Sequence, residues 1–102
     1  MATVMRIVWG KIKPGEWENY KGAYKKACEI AGPIEGLKGR WLVRDQSDEA
    51  AAYSITIWET TEALNNYAES DLVKNKLFPM LDPYYVGKYV SNISDIEHEE
   101  VY

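Results

Sequence analysis

Histidine occurs once in this chain and cysteine once, as His98 and Cys28, and that scarcity excludes much chemistry. A single thiol cannot close an internal disulfide, which fits a reducing compartment and an expected cytoplasmic location. No His or Cys ligand spacing exists and the carboxylates are scattered over turns, so no metal site is expected. A serine or cysteine nucleophile would lack its histidine base. His98 stands in an acidic run with Glu97, Glu99 and Glu100 and reads as a solvated residue. There is no glycine-rich phosphate loop after a strand, and no apolar run near the roughly 20 residues needed to cross a bilayer. The N-terminal stretch carries Arg6 inside its apolar run and no small-residue cleavage site, so no signal peptide is expected. A basic excess is missing too: the net charge is −4, which argues against a nucleic-acid partner.

What the chain has in quantity is apolar and aromatic side chains, 46% and 13% of 102 residues, enough for one folded domain and too little for two. Residues 3–12 alternate as a strand, with Met5, Ile7 and Trp9 on one face and Val4, Val8 and Ile12 on the other. Lys13-Pro14-Gly15 ends it. Trp17, Tyr20, Tyr24, Ala27 and Ala31 then step by three and four, an amphipathic helix stopped by Gly32-Pro33, with Cys28 a small packing residue at the margin of its stripe. Residues 36–46 and 50–59 form a hairpin of strands, Leu37, Trp41 and Val43 sharing one face of the first and Lys38, Arg40, Leu42 and Arg44 the other. At Trp58 the period switches from strand to helix, with Thr60 or Thr61 as the N-cap. The first helix there covers 61–68; Ser70 caps a second that carries Leu72, Val73, Leu77 and Phe78 and is ended by Pro79 and Pro83. Residues 84–93 make the last strand, Gly87 marking a bulge or close approach.

The order strand, helix, strand, strand, helix, strand predicts an α+β fold of the ferredoxin-like split βαβ kind: a four-stranded antiparallel sheet with helices on one face. The domain spans residues 1–94, and 95–102 is an acidic tail or an arm gripping a second subunit. Because the first strand is apolar on both faces and one helical layer covers only one, the bare face is expected to meet its two-fold mate in a homodimer. The chemistry left is that of an aromatic pocket for a small hydrophobic or aromatic ligand, with Trp58, Trp17, Tyr24, Tyr67 and Phe78 as candidate walls.

The opening strand into Ile12-Lys13-Pro14-Gly15-Glu16, the aromatic-bearing helix, and Ile55-Thr56-Ile57-Trp58-Glu59-Thr60 ahead of a helix with Glu69-Ser70-Asp71 together resemble the antibiotic biosynthesis monooxygenase domain. The resemblance covers nearly the whole chain. It implies a dimeric α+β barrel with a ligand cavity between each subunit's sheet and helices, and an activity such as cofactor-independent oxygenation of phenolic or quinone-forming compounds. Haem-degrading members pair the strand-end tryptophan, matched by Trp58, with a first-strand asparagine and a later helical histidine. Here the asparagine position falls near Val8 and no histidine lies between Thr61 and Pro83, so haem degradation is disfavoured. The expectation is a monooxygenase without cofactor acting on an aromatic, phenolic or quinol-type molecule, with Trp58 the best candidate catalytic residue and Arg40, Arg6 or the Tyr89 hydroxyl steadying a substrate anion. A non-catalytic small-molecule-binding or stress-related dimer is the alternative, and an isomerase or lyase would need a base titrating near neutrality.

Overall fold

The computed structural model describes residues 3–102. Strands β1 (Val4–Ile12), β2 (Leu37–Arg44), β3 (Ala51–Trp58) and β4 (Tyr85–Asp95) pair antiparallel in the order β2-β3-β1-β4. With helices α1 (Trp17–Ala31), α2 (Thr61–Ala68) and α3 (Phe78–Leu81) they make the expected ferredoxin-like α+β domain. Helix α1 buries Tyr20, Tyr24 and Ala27, the middle of its predicted stripe. Thr60, extended at φ −144°, caps α2 by accepting the Ala63 N–H at 3.0 Å, which fixes the switch from strand to helix two residues after Trp58.

Three local features depart from simple periodicity. Alternation puts Leu37 on the face of Trp41 and Val43, but Leu37 pairs with Trp58 and Gly39 with Ile57, leaving Lys38 as an extra residue. The bulge swings Leu37 to the helix side, against Val4, Trp58 and Leu64. The preceding turn requires Gly36, whose φ is +83° and where a Cβ would sit 2.4 Å from that of Ala63. On β4, Gly87 to Tyr89 stand opposite the single Gly10, a bulge centred where the strand glycine predicts it, with φ +72° at Gly87. Pro79, expected to end a helix, instead sits in the first turn of α3. The reason is a π-helical stretch, Val73–Leu77, in which the Phe78 N–H reaches the Val73 carbonyl five residues back; the widened turn relieves the clash and the missing donor of the proline. Pro83 falls in a short 3-10 turn, Asp82–Tyr84, that leads into β4.

The last strand also runs further than expected. It continues to Asp95, and the Ile96 N–H still donates to the Thr3 carbonyl at 2.9 Å, so sheet pairing with the first strand runs past Ile93. Beyond it Val101 and Tyr102 are exposed, and His98 is an exposed partner of Glu100 at 3.0 Å.

Two apolar clusters hold the helices to one face of the sheet. One gathers Ile12, Tyr20, Tyr24, Ala52 and Tyr85; the other gathers Val4, Trp58 and Leu64. They occupy opposite ends of the strands, because Val4 pairs with Trp58 while Ile12 pairs with Tyr85 and Gly10 with Ala52. The opposite sheet face carries Met5, Ile7, Trp9, Trp41, Val43, Ile55 and Ile57 and has no helix over it, leaving Trp41 50% exposed. Among the described residues no helix is long and apolar enough to cross a membrane.

Candidate functional site

Between the two clusters the helix-facing side of the sheet is polar. Arg6 on β1 pairs with Thr56 on β3, and Thr56 pairs with Arg40 on β2, so two arginines flank one threonine in a single row across three strands. The next row is Val8, Ser54 and Leu42. A small domain would be expected to fill this central strip with apolar side chains. Here it forms the floor of a cavity of about 110 Å³, partly open to solvent, whose aromatic and aliphatic walls come from Tyr24, Trp58, Tyr67, Leu77, Phe78, Tyr85 and Tyr89.

The side chains are cross-linked by hydrogen bonds and ring contacts. Trp58, 1% exposed, donates its Nε1–H to Thr56 Oγ1 at 2.8 Å, leaving the threonine hydroxyl proton available to a ligand. Its indole lies 5.4 Å from the Tyr67 ring, and the Arg40 guanidinium stands 6.0 Å from the centre of that same ring. Arg40 donates to Cys28 Sγ at 2.8 Å, Arg6 to Ser91 Oγ at 3.0 Å, and the Tyr24 and Ser54 hydroxyls are 2.6 Å apart. At the other end Phe78 packs on Tyr89 at 4.9 Å. The Cys28–Arg40 contact is also the wall between this cavity and an open groove lined by Lys21, Lys25 and Leu42.

Electrostatically the cavity is one-sided. Two guanidiniums line it, no carboxylate does, and neither arginine has an acidic partner among the described residues. Burial works against the Arg40 charge, but Cys28, Tyr67 and Tyr24 more than offset it and hold its pKa above the ordinary value. The tyrosines are pushed the other way, toward staying neutral. Burial raises Tyr67 against the opposing pull of Arg40, and raises Tyr24 against its hydrogen bond to Ser54 and the Arg40 charge. Burial likewise raises Tyr20 and Tyr85, whose hydroxyls are 2.7 Å apart. The site therefore offers neutral hydroxyl donors and fixed positive charge, the equipment to hold an anion.

These raised values carry a stability prediction. Below the unfolded tyrosine pKa of about 10 the phenols are neutral in both states and their contribution is fully present. As pH rises beyond it the unfolded chain ionises first, so stability is lost by up to about 1.4 kcal/mol per pH unit for each tyrosine kept neutral. Urea midpoints should be flat from neutrality to about pH 9 and fall beyond about pH 10, with tyrosinate absorbance from these residues appearing only on unfolding. Smooth titration of all tyrosines in the folded protein would contradict their burial.

Of the residues expected at the site, Trp58, Tyr24, Tyr67, Phe78 and Arg40 are brought together around the cavity, as are Arg6 and Tyr89. Trp17 is not. One turn before Tyr20 on α1, it packs on that ring at 5.8 Å and under the Arg44 guanidinium at 4.8 Å, beyond the cavity's walls. Its helical spacing marked it as inward-facing but not which part of the interior it meets. Ser54, Thr56 and Cys28 are lining residues that the sequence reading did not place there. The alternation of Ser54 and Thr56 with Ile55 and Ile57 was the available signal, hidden because the hydroxyl face of β3 is the one turned inward.

No family model matches the chain, and no curated protein matches it by sequence. Solved structures do. A conserved protein from Methanosarcina mazei Go1 is 18% identical, with 92% of each chain covered and a TM-score of 0.81. An antibiotic biosynthesis monooxygenase is 18% identical over 91% of this chain and 97% of its own, with a TM-score of 0.76. A provisionally named antibiotic biosynthesis monooxygenase from Caulobacter crescentus CB15 is 14% identical over 95% and 92%, with a TM-score of 0.82. At these identities the likeness is one of fold: the chain has the ferredoxin-like α+β fold of these structures, antibiotic biosynthesis monooxygenases by name among them.

Proposed function

We propose that the protein is a homodimeric monooxygenase that needs no cofactor and acts on a small phenolic or quinol-type aromatic bound in the cavity. The observation that carries this reading is the Arg6–Thr56–Arg40 row, a strip of positive charge and hydroxyl donors under aromatic walls with no opposing carboxylate. Fixed cations lower the pKa of a neighbouring acid, and a bound phenol placed between Arg6 and Arg40 meets two of them, whereas Tyr24 and Tyr67, which stay neutral, are opposed in their burial chiefly by Arg40. The phenolate then supplies electrons to dioxygen. For a quinol the balance closes without a co-reductant: one oxygen atom replaces a ring hydrogen, the other leaves as water, and the substrate, losing four electrons, ends as a hydroxyquinone. Among the described residues neither an imidazole nor a carboxylate lines the cavity, so the proton goes to solvent and the protein's part is to orient the anion and limit water.

The fold likeness to proteins named as monooxygenases supports the same reading, and the uncovered apolar sheet face supports the dimer. The test is oxygen uptake by the protein, stripped of metal and flavin, with hydroquinones and phenols of one to three rings. Uptake of one dioxygen per quinol is expected, with label from heavy dioxygen in the product and a rate at least tenfold lower in Arg40→Met. Binding across the panel without oxygen consumption would leave a ligand-binding dimer and remove the oxygenase.

A further inference from the structure

The floor of the cavity has two cationic ends rather than one. Arg6 and Arg40 belong to strands separated by β3, two strand spacings or about 10 Å apart at the backbone, with Thr56 between them. Of five N–H donors each, Arg6 gives one to Ser91, while Arg40 gives one to Cys28 and also hydrogen-bonds the Tyr67 side chain. Both therefore have donors left for a ligand. A simple phenolate would neutralise one of these charges and leave the other without a counter-ion, which is costly in a partly desolvated site. A ligand with a carboxylate for one arginine and, at its other end, a phenol hydroxyl that the second arginine can hold and help to ionise would answer both.

Size sets the second constraint. An engineered apolar cavity of roughly 150 Å³ takes up benzene. At about 110 Å³ the cavity encloses less than that, so a single ring fits only with its substituents reaching toward the open side, and three fused rings would lie mostly outside it. Tyr67 and Phe78 stand over this floor, supplying faces and edges for a flat ring.

We propose that the cavity selects a single-ring aromatic with an acidic oxygen group at each end, of the para-hydroxybenzoate type, one end held by Arg6, the other by Arg40, and the ring lying over Thr56. This rests on the reading of the cavity as the ligand site, and adds to it the ring count and the para relation of the two groups. The ortho isomer has the same charge and composition but presents both groups to one side of the ring, so it engages one arginine.

The test is anaerobic titration calorimetry of the whole protein with para-hydroxybenzoate, ortho-hydroxybenzoate, benzoate, phenol and a three-ring phenol. Para-hydroxybenzoate is expected to bind at least tenfold tighter than each of the others. Arg6→Met and Arg40→Met should each lose at least tenfold for the para isomer, and Arg40→Lys should stay within about threefold, separating loss of charge from loss of fold. Equal affinity for the ortho and para isomers, or tightest binding by the three-ring phenol, would overturn the proposal, and both are read on the unaltered protein. Because oxygen is absent, the result is independent of turnover. Selective para binding alongside no oxygen uptake by any quinol sinks the oxygenase and keeps this inference; oxygen uptake without para selectivity does the reverse.

Discussion

Trp58→Ala is expected to lower the unfolding free energy by about 3–5 kcal/mol, the cost of emptying the space of a buried large aromatic. Trp58 is 1% exposed, pairs with Val4 across the sheet, and joins Leu64 and Tyr67 in the cluster that closes one end of the domain. A chain of this size has about 5–15 kcal/mol in total, so the variant would keep a fraction of it and melt tens of degrees lower. Trp58→Phe is the milder probe: it keeps a ring beside Tyr67 and loses the 2.8 Å bond from Nε1 to Thr56, a change of about 1–2 kcal/mol. Urea denaturation followed by circular dichroism measures both, and a loss below about 1 kcal/mol for the alanine variant would show that the indole is not structural. Loss of turnover in Trp58→Ala thus reports folding as much as chemistry. Trp58→Phe is the variant in which a catalytic part for the indole N–H and its threonine partner can be read.

Ile55→Arg should convert the proposed dimer to a monomer of 11.7 kDa. Ile55 sits in the middle of the uncovered sheet face, with Ile7 beside it on β1 and Trp41 on β2. Trp41 at 50% and Val90 at 49% exposed are costly to leave in water on a chain this small, and in the proposed dimer a second copy of the same face would cover them by symmetry. In that proposed dimer a guanidinium at this position would have no partner and would meet its own copy near the two-fold axis. An unpaired buried charge costs about 3–5 kcal/mol, which is roughly 10²- to 10⁴-fold in association. Light scattering at micromolar concentration reads the mass, with Lys26→Glu on the exposed side of α1 as the control that leaves it unchanged. A wild-type protein already at 11.7 kDa under these conditions would remove the dimer.

The order of elements was legible from the chain because its periods are clean. Alternation in β1 and β3, the three-four stepping of Tyr20, Tyr24 and Ala27, and the Thr60 cap each act within a few residues. What misled were positions where one residue changes the local count. Lys38 adds a residue to β2 and carries Leu37 to the other face; the wide turn at Val73–Leu77 lets a helix pass Pro79; Trp17 shares its helix face with Tyr20 yet sits beyond the cavity.

Composition and periodicity by themselves determined an aromatic-rich α+β domain with one helical layer, a sheet apolar on its far side, and a strand-end tryptophan meeting a helix. Those properties follow from short-range rules of backbone geometry and side-chain alternation. Only the tertiary structure decided that Arg6, Thr56 and Arg40 lie in one row, because cross-strand register joins residues 50 and 16 positions apart in the chain. It also decided that this row faces inward. A polar strip on a strand reads as solvent-facing until the helices are seen to stand over it, and here they cover it without filling it, which is why there is a cavity with charge on its floor.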